Sequence, residues 1–196
     1  YASIFIDLVN DWRSLWGQKR LPFYFMLVAP YGELPGAVRL EQAKVWENGL
    51  LKDIGMATAI DVGDSLDIHP KNKVVPAHRF ALWALAKEYG KKVECCGPLL
   101  EKVSVEGNRM VLSFGHSKGL YVLNAAGEKV SAGVNYLYVA GTDGNFHPAL
   151  SEIIGGKLHV WSPDVPAPAQ VKYCTEDYCK GNLYNAAGLP AYPFVH

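Results

Sequence analysis

The first half of the chain alternates between helical and strand-like patterns of apolar residues. In residues 1–16, apolar side chains recur at the spacing of an amphipathic helix, and we expect its aromatic face to pack in the core. The members of this face are Phe5, Leu8, Trp12, Leu15 and Trp16. Continuous apolar runs at residues 21–29 and 56–62 are typical of strands buried on both faces of a parallel sheet. Helical spacing returns at residues 38–53 and 76–90, so the order predicts two units of an α/β sheet.

Two strands are too few for a stable sheet, because they leave edges unpaired and apolar faces uncovered. We therefore expect residues 1–90 to be the last part of a larger α/β domain. The missing strands should come from sequence before Tyr1 or from another chain. The sequence starts at Tyr1 and not at Met, directly in a helical pattern, and shows no signal peptide. We expect a processed product or a fragment.

After Gly90 the apolar period changes from helical to strand-like. The clearest case is residues 102–114, where Gly107-Asn108 separates two alternating runs and predicts a β-hairpin. Further short strands, separated by glycine-containing turns, are predicted at residues 120–123, 134–140, 150–154, 157–161 and 170–174. Regular short strands predict an all-β sandwich, and we expect the tail, residues 182–194, to be irregular. The predicted domains are residues 1–91 and 92–196.

Composition and charge narrow the classes of function. The 19 basic and 19 acidic residues balance, so nothing favours a nucleic-acid or membrane-surface partner. No apolar run reaches the ~18 residues of a membrane span. The cysteines, Cys95, Cys96, Cys174 and Cys179, lack the CxxC spacing of zinc sites. A Cys174–Cys179 bridge across a short turn is feasible, whereas the vicinal Cys95 and Cys96 could bond to each other only with strain.

The loop after the second predicted strand carries the most informative polar residues: Asp61, Asp64, Asp67 and His69. In an open α/β sheet, chemistry tends to occur beyond the carboxyl ends of the strands. His69 and Asp67 could be the base and the orienting carboxylate of a hydrolytic triad. Two other interpretations stay open. Spacing alone favours an imidazole that only hydrogen-bonds within its loop, and a metal site ranks below both.

No convincing nucleophile is present in the sequence. Ser65 lies in the same loop as His69, but no Gly-x-Ser-x-Gly elbow surrounds it or any other serine. Arg39 and Gln42 open a predicted helix and could touch a ligand near the rim of the sheet, although a solvated helix face is favoured.

Several motifs resemble those of sialate O-acetylesterases, which are SGNH-type carbohydrate esterases. The run from Asp61 to Lys73, followed by Arg79 and by Tyr89-Gly90, looks like the closing block of that family. Other segments agree in the same order: Asp11-Trp-Arg13, Leu21-Pro22-Phe23, Arg39 with Glu41-Gln42-Ala43, Asn182-Leu-Tyr-Asn185, Gly188-Leu-Pro-Ala191 and Pro193-Phe194. The resemblance spans nearly the whole chain. It departs at residues 73–78, where the family has Val-Gly before the Arg.

The resemblance implies the last two strand–helix units of an SGNH/flavodoxin-like α/β sheet, followed by a β-sandwich. It also implies removal of O-acetyl groups from sialic acid or related sugars. It makes His69 the general base and Asp67 its partner, with Asp64 in reserve, and implies no metal or organic cofactor.

The family's serine nucleophile and its oxyanion-hole Gly and Asn belong to upstream blocks that are absent here. The expected partner is therefore an upstream segment or second polypeptide carrying that serine, and we expect the isolated chain to be inactive. The resemblance implies a secreted, periplasmic or lysosomal protein. The alternative is a non-catalytic β-sandwich module with a carbohydrate-binding or structural role.

Overall fold

A computed structural model describes residues 1–47 and 49–196. The first part is a pair of parallel strands with three helices. In chain order these elements are α1 (Ala2–Leu15), β1 (Phe23–Leu27), α2 (Ala37–Glu47), β2 (Ile54–Thr58) and α3 (Val74–Lys87). β1 and β2 pair in parallel, from Phe23 opposite Ile54 to Leu27 opposite Thr58. This confirms the predicted element order. None of these helices is both long and apolar enough to cross a membrane.

Two helix boundaries differ from the prediction. α2 ends at Glu47 although helical spacing continues to residue 53, and residue 48 lies outside the described residues. Gly49 and Asp53 have φ values of 58° and 56°, and this left-handed backbone cannot continue a right-handed helix. α3 begins at Val74, ahead of Pro76. Proline fits there because the first N–H groups of a helix have no intrahelical acceptor.

The aromatic face of α1 is largely exposed, so the prediction that it packs in the core is wrong. Phe5 and Trp12 do touch Phe23 edge-to-face, with ring centroids 5.6 and 6.0 Å away. However, Leu15 is 84% exposed. The other exposed members are Leu8, Trp12 and Trp16. The described sheet has only two strands, and this is too narrow to cover the whole apolar arc of the helix.

Arg13 is buried although the pattern places it off the apolar face of α1. Its guanidinium donates to the carbonyls of Leu21 and Lys52, at 3.0 and 2.7 Å. These carbonyls precede β1 and β2. Arg13 therefore anchors α1 to the amino ends of both strands through these hydrogen bonds.

The second part of the chain consists of short antiparallel strands. They are β3 (Leu99–Glu106), β4 (Arg109–Gly115), β5 (Tyr121–Leu123), β6 (Lys129–Val130), β7 (Leu137–Ala140), β8 (His147–Pro148), β9 (Leu150–Ile154), β10 (Lys157–Trp161), β11 (Gln170–Tyr173), β12 (Leu183–Tyr184) and β13 (Phe194–Val195). The sheet orders are β3-β4-β10-β9, β13-β11-β7-β8 and β12-β5-β6. One cluster of buried apolar side chains joins all three sheets, with Leu112, Val139 and Leu183 as examples.

The predicted hairpin of residues 102–114 is confirmed. Glu106 pairs with Arg109 across Gly107-Asn108, and Gly107 has a φ of 63°. The tail was expected to be irregular, yet it contains β12 and β13, which pair with β5 and β11. Two-residue strands are too short for an alternating pattern to reveal them. The boundary between residues 91 and 92 stays a prediction.

Candidate functional site

The candidate site begins where β2 leaves the sheet. Every residue of β2 is buried, and Ile60 just beyond it is fully buried too. The loop after β2 packs against the loop after β1, because Gly32 N–H donates to the Ser65 carbonyl at 3.2 Å. At Gly63 a Cβ would lie 2.4 Å from the Pro30 oxygen, so only glycine fits. The carboxyl ends of both parallel strands therefore converge at one edge, where α/β proteins place their chemistry.

Asp61 is held by a buried ion pair at the start of the loop. Both of its carboxylate oxygens accept hydrogen bonds from the Arg79 guanidinium, each at 2.7 Å. The Tyr184 hydroxyl donates to the same carboxylate at 3.1 Å. Burial, with the Asp61 charge adding to it, raises the pKa of Tyr184 well above its usual value. This carboxylate is therefore occupied by structural partners and anchors the loop to α3 and to β12.

His69 and Asp67 lie side by side at the tip of the loop. The Asp67 Oδ1 accepts the His69 backbone N–H at 2.9 Å, as in an Asx turn. The His69 Nδ1 lies 3.5 Å from the same oxygen, longer than a strong hydrogen bond. Donation from the His69 backbone, followed by the charge and ring of His69, lowers the pKa of Asp67. Asp64 makes a similar turn, accepting the Leu66 N–H at 2.9 Å, which leaves Asp67 as the carboxylate next to the ring.

The tip of the loop is open to solvent. The His69 and Asp67 side chains are 82% and 44% exposed. The apolar side chains of Leu66 and Ile68 beside them are exposed as well, Leu66 to 89%. His69 and Asp67 line none of four surface cavities found among the described residues, whose volumes are about 540, 520, 240 and 620 Å³. The imidazole is thus accessible to solvent and lies outside these four cavities.

A segment of the β part, residues 174–181, packs against the same edge of the α/β part. Arg39 is fully buried, and its guanidinium donates to the backbone carbonyls of Glu176 and Asp177. The Asp177 carboxylate accepts the Gly36 N–H at 3.0 Å. At Gly36 a Cβ would lie 2.1 Å from the Thr175 oxygen, so glycine permits this close approach. We call residues 174–181 the junction segment.

Arg39 and Gln42 are therefore structural residues, and both sequence interpretations of them are wrong. Neither touches an open ligand site, and neither lies on a solvated helix face. Gln42 is buried, and its Oε1 accepts the Val28 N–H at 2.9 Å just beyond β1. Sequence periodicity could not predict this role, because the residue type alone does not show whether a polar side chain is buried. Burial of such a side chain depends on hydrogen-bond partners from other segments.

The asparagines of the Asn-Leu-Tyr-Asn motif are also structural. Asn185 is buried and donates to the carbonyls of Cys96 and His116, at 2.9 and 2.8 Å. Asn182 donates to the carbonyls of Leu123 and Gly133, both at 3.1 Å. Through these side-chain hydrogen bonds, the motif holds the tail against the preceding strands and loops. It places Tyr184 against Asp61, a contact that no sequence signal identified.

The described residues hold neither a metal cluster nor a nucleophile paired with His69. Over residues 1–47 and 49–196, no group of three or more His, Cys, Asp and Glu is placed to hold a metal ion. Across the same residues, no serine hydroxyl forms a hydrogen bond with the His69 ring. The geometry therefore places an imidazole beside a carboxylate at the tip of the loop, and within the described residues no serine hydroxyl is bonded to that ring.

No family model and no curated protein matches this chain. Among solved structures, it is similar to that of a carbohydrate acetylesterase from Xanthomonas citri. The TM-score is 0.86 at 33% sequence identity, and the match covers 100% of this chain and 46% of that chain. This chain thus spans about half the length of the structure that it matches. The finding supports a relationship to carbohydrate esterases.

Proposed function

We propose that this chain is the carboxyl-terminal part of a serine carbohydrate esterase that removes O-acetyl groups from sialic acid or related sugars. The observation that carries the proposal is the match of the whole chain, at 33% identity, to a carbohydrate acetylesterase. The specific resemblance to sialate O-acetylesterases in the Asp61–Lys73 block narrows the substrate class. The proposed architecture is the end of an SGNH-type α/β sheet followed by a β-sandwich.

In the proposed reaction, His69 takes the proton from a serine hydroxyl outside this chain while the serine oxygen attacks the acetyl carbonyl carbon. The tetrahedral intermediate collapses, the ester bond breaks, and the protonated imidazole gives its proton to the departing sugar oxygen. A water molecule then attacks the acetyl-enzyme with His69 again as base, and this releases acetate and restores the serine.

Asp67 orients the imidazole in this proposal. Its carboxylate accepts the Nδ1 proton, so Nε2 is left free to receive the proton of the serine. The 3.5 Å separation between Nδ1 and Oδ1 has to shorten when the active site is complete. Such tightening is common, since catalytic hydrogen bonds are often long in unliganded enzymes.

The partner that we propose is an α/β segment, upstream or on a second polypeptide, that carries the serine. Its docking surface would be the apolar stripe of α1 together with the outer edge of β1. Relative to Ile4, the side chains of Leu8 and Leu15 project within about 40° on a helix of 3.6 residues per turn, and all three are exposed. Within the described residues, β1 pairs only with β2. A further parallel strand beside β1, with an apolar layer over α1, would cover both surfaces.

Reconstitution tests this proposal. Acetate release from 4-nitrophenyl acetate and from O-acetylated sialic acid is measured for the chain alone and for the chain coexpressed with a polypeptide that carries a Gly-Gln-Ser or Gly-Glu-Ser block. We expect activity only in the second case. Activity of the lone chain would show that it contains its own nucleophile, and inactivity of a copurifying pair would remove the split-enzyme proposal.

The alternative function, a non-catalytic carbohydrate-binding or structural module, is favoured by two observations. The described residues pair no nucleophile with His69, and the ring is 82% exposed. For such a module, sugar binding or partner binding would survive replacement of His69, and acetate release would be absent from every complex that contains this chain.

A further inference from the structure

The turn of the junction segment brings two cysteines, Cys174 and Cys179, close together. Cys174 and Cys179 are free thiols with almost no exposed surface. The Cys179 Sγ lies 3.7 Å from the Cys174 backbone oxygen. Cys174 has a φ of 51°, in the left-handed region, and its N–H donates to the Tyr136 carbonyl at 2.9 Å. The chain therefore turns back at Cys174, and this turn brings the two ends of the segment together.

The turn contributes to the contact between the two parts of the molecule, because Arg39 of α2 binds backbone carbonyls inside it. The Arg39 guanidinium donates to Glu176 and Asp177 inside the turn, and its Nη2 lies 3.8 Å from the Cys179 Sγ. A covalent link between the ends of the turn would therefore restrict the positions of the Glu176 and Asp177 carbonyls that Arg39 binds.

We propose that Cys174 and Cys179 form a disulfide in the mature protein, which closes the turn that holds Arg39. The proposal does not depend on the esterase function. Each thiol loses a proton, and a sulfur–sulfur bond forms between the two Sγ atoms. The two electrons reduce an external disulfide, such as oxidised glutathione or the active-site disulfide of a thiol oxidoreductase, to two thiols.

The bond would form before the turn is packed. Burial, with the neighbouring Cys179 thiol adding to it, raises the pKa of Cys174 well above its usual value. The attacking species in disulfide exchange is the thiolate, and the Cys174 thiolate is scarce once this residue is buried. Burial also shields both sulfur atoms from an external oxidant. Oxidation therefore belongs to the folding of the chain, when both thiols are still solvated.

The other two cysteines provide an internal control. Cys95 and Cys96 are also buried, but they are adjacent in sequence, and a bond between them would be strained. Burial raises the pKa of Cys96 to about 12, and its Sγ lies 3.9 Å from the Tyr192 hydroxyl. We expect this pair to stay reduced under conditions that oxidise Cys174 and Cys179.

Peptide mapping distinguishes the two pairs. The protein is denatured, refolded in a glutathione redox buffer, and alkylated with iodoacetamide under denaturing conditions without reductant. Trypsin should then release residues 173–180 and 93–102 as separate peptides. We expect peptide 173–180 to be unalkylated and lighter by two hydrogens, and peptide 93–102 to be alkylated on both cysteines. Full alkylation of both peptides would overturn the proposal.

Thermal unfolding gives an independent readout. We expect a reductant to lower the Tm of the oxidised protein by several degrees, on the order of 5 °C. The double variant Cys174→Ser/Cys179→Ser should lose this response to reductant, whereas Cys95→Ser/Cys96→Ser should keep it. A reductant response that survives in the first variant would contradict the assignment of the bond.

Discussion

The two parts of this chain differ in how completely they cover their own apolar surface. In the antiparallel β part, a single cluster of buried side chains links all three sheets, and Leu158, Val160 and Leu183 have no exposed surface. In the parallel α/β part, by contrast, Ile4 and Leu15 on α1 are 74% and 84% exposed. Apolar residues are patterned in the same way in both parts. The difference is that the β part has enough sheets to bury its apolar side chains, whereas the α/β part has one sheet of two strands.

This difference indicates which surface the proposed partner would cover. A β part with a closed core needs no further cover. A parallel pair of strands does, because parallel sheets normally have both faces covered by helices and further strands beside them. The candidate site lies in this incompletely covered part. In the proposed enzyme, the segment that covers α1 and the edge of β1 would also bring the serine to the exposed His69.

The largest effect is expected where the two parts meet, at the buried Asp61–Arg79 pair. Arg79→Ala leaves the Asp61 carboxylate buried without its charged partner, which should cost about 3–5 kcal/mol of unfolding free energy. Urea unfolding of the protein measures it. The matched control is Arg20→Ala, which removes a similar bidentate pair with Asp53 whose arginine is 85% exposed. Equal losses for the two variants would show that Asp61 is not buried in solution.

The next effect contrasts the two apolar surfaces directly. Leu158→Ala opens a cavity in the closed core of the β part and should cost about 2–5 kcal/mol. Leu15→Ala should change the unfolding free energy of the isolated chain by less than about 0.5 kcal/mol, because the side chain is already in water. If Leu15→Ala were as destabilising as Leu158→Ala, the stripe on α1 would be covered in the isolated chain, and the comparison would fail.

A smaller effect tests the function of the exposed stripe. Leu15→Asp should weaken association of the chain with the proposed serine-bearing segment by about tenfold or more, since a charge would enter an apolar contact. Val105→Asp is the control, because Val105 on β3 is also exposed but lies in the part that needs no cover. Copurification from coexpressing cells and titration calorimetry measure the difference. Unchanged binding by Leu15→Asp would place the partner elsewhere.

The smallest effect concerns the protonation of Asp67. Its pKa is lowered first by the backbone N–H of His69, so the NMR titration midpoint of this carboxyl should lie below that of aspartate in an unfolded peptide. A folded pKa below the unfolded value contributes stability that is present above the unfolded pKa and is lost as pH falls through the folded pKa. Because Asp67 lies at the surface, this change in stability should be slight. An ordinary midpoint would indicate that the Asx turn is absent.

Sequence patterning predicted the elements well and the environments of individual side chains less well. The periodicities of residues 1–90 and the turn at Gly107-Asn108 are local, so they could be predicted directly from the sequence. The burial of Arg13 and Arg39 depends on carbonyls from distant segments, such as Lys52 and Glu176. No local pattern encodes such contacts.

The contacts of the candidate site also fall into local ones, which the sequence could predict, and long-range ones, which it could not. The pairing of His69 with Asp67 is a contact within one turn, so a two-residue spacing could predict it. The Asp61–Arg79–Tyr184 group joins three distant segments, and sequence inspection placed Asp61 among candidate metal ligands. The aromatic face of α1 was assigned to the core because amphipathicity shows that a face is apolar, not which chain covers it.

The central claim is that His69 acts as a base on a serine supplied from outside these residues. The most direct test is the rate of acetate release by the complete esterase with His69→Gln, compared with His78→Gln, which changes an exposed histidine on α3. We expect His69→Gln to lower kcat by about 10³-fold or more and His78→Gln to leave it within about twofold. Unchanged turnover of the His69→Gln enzyme would contradict the account.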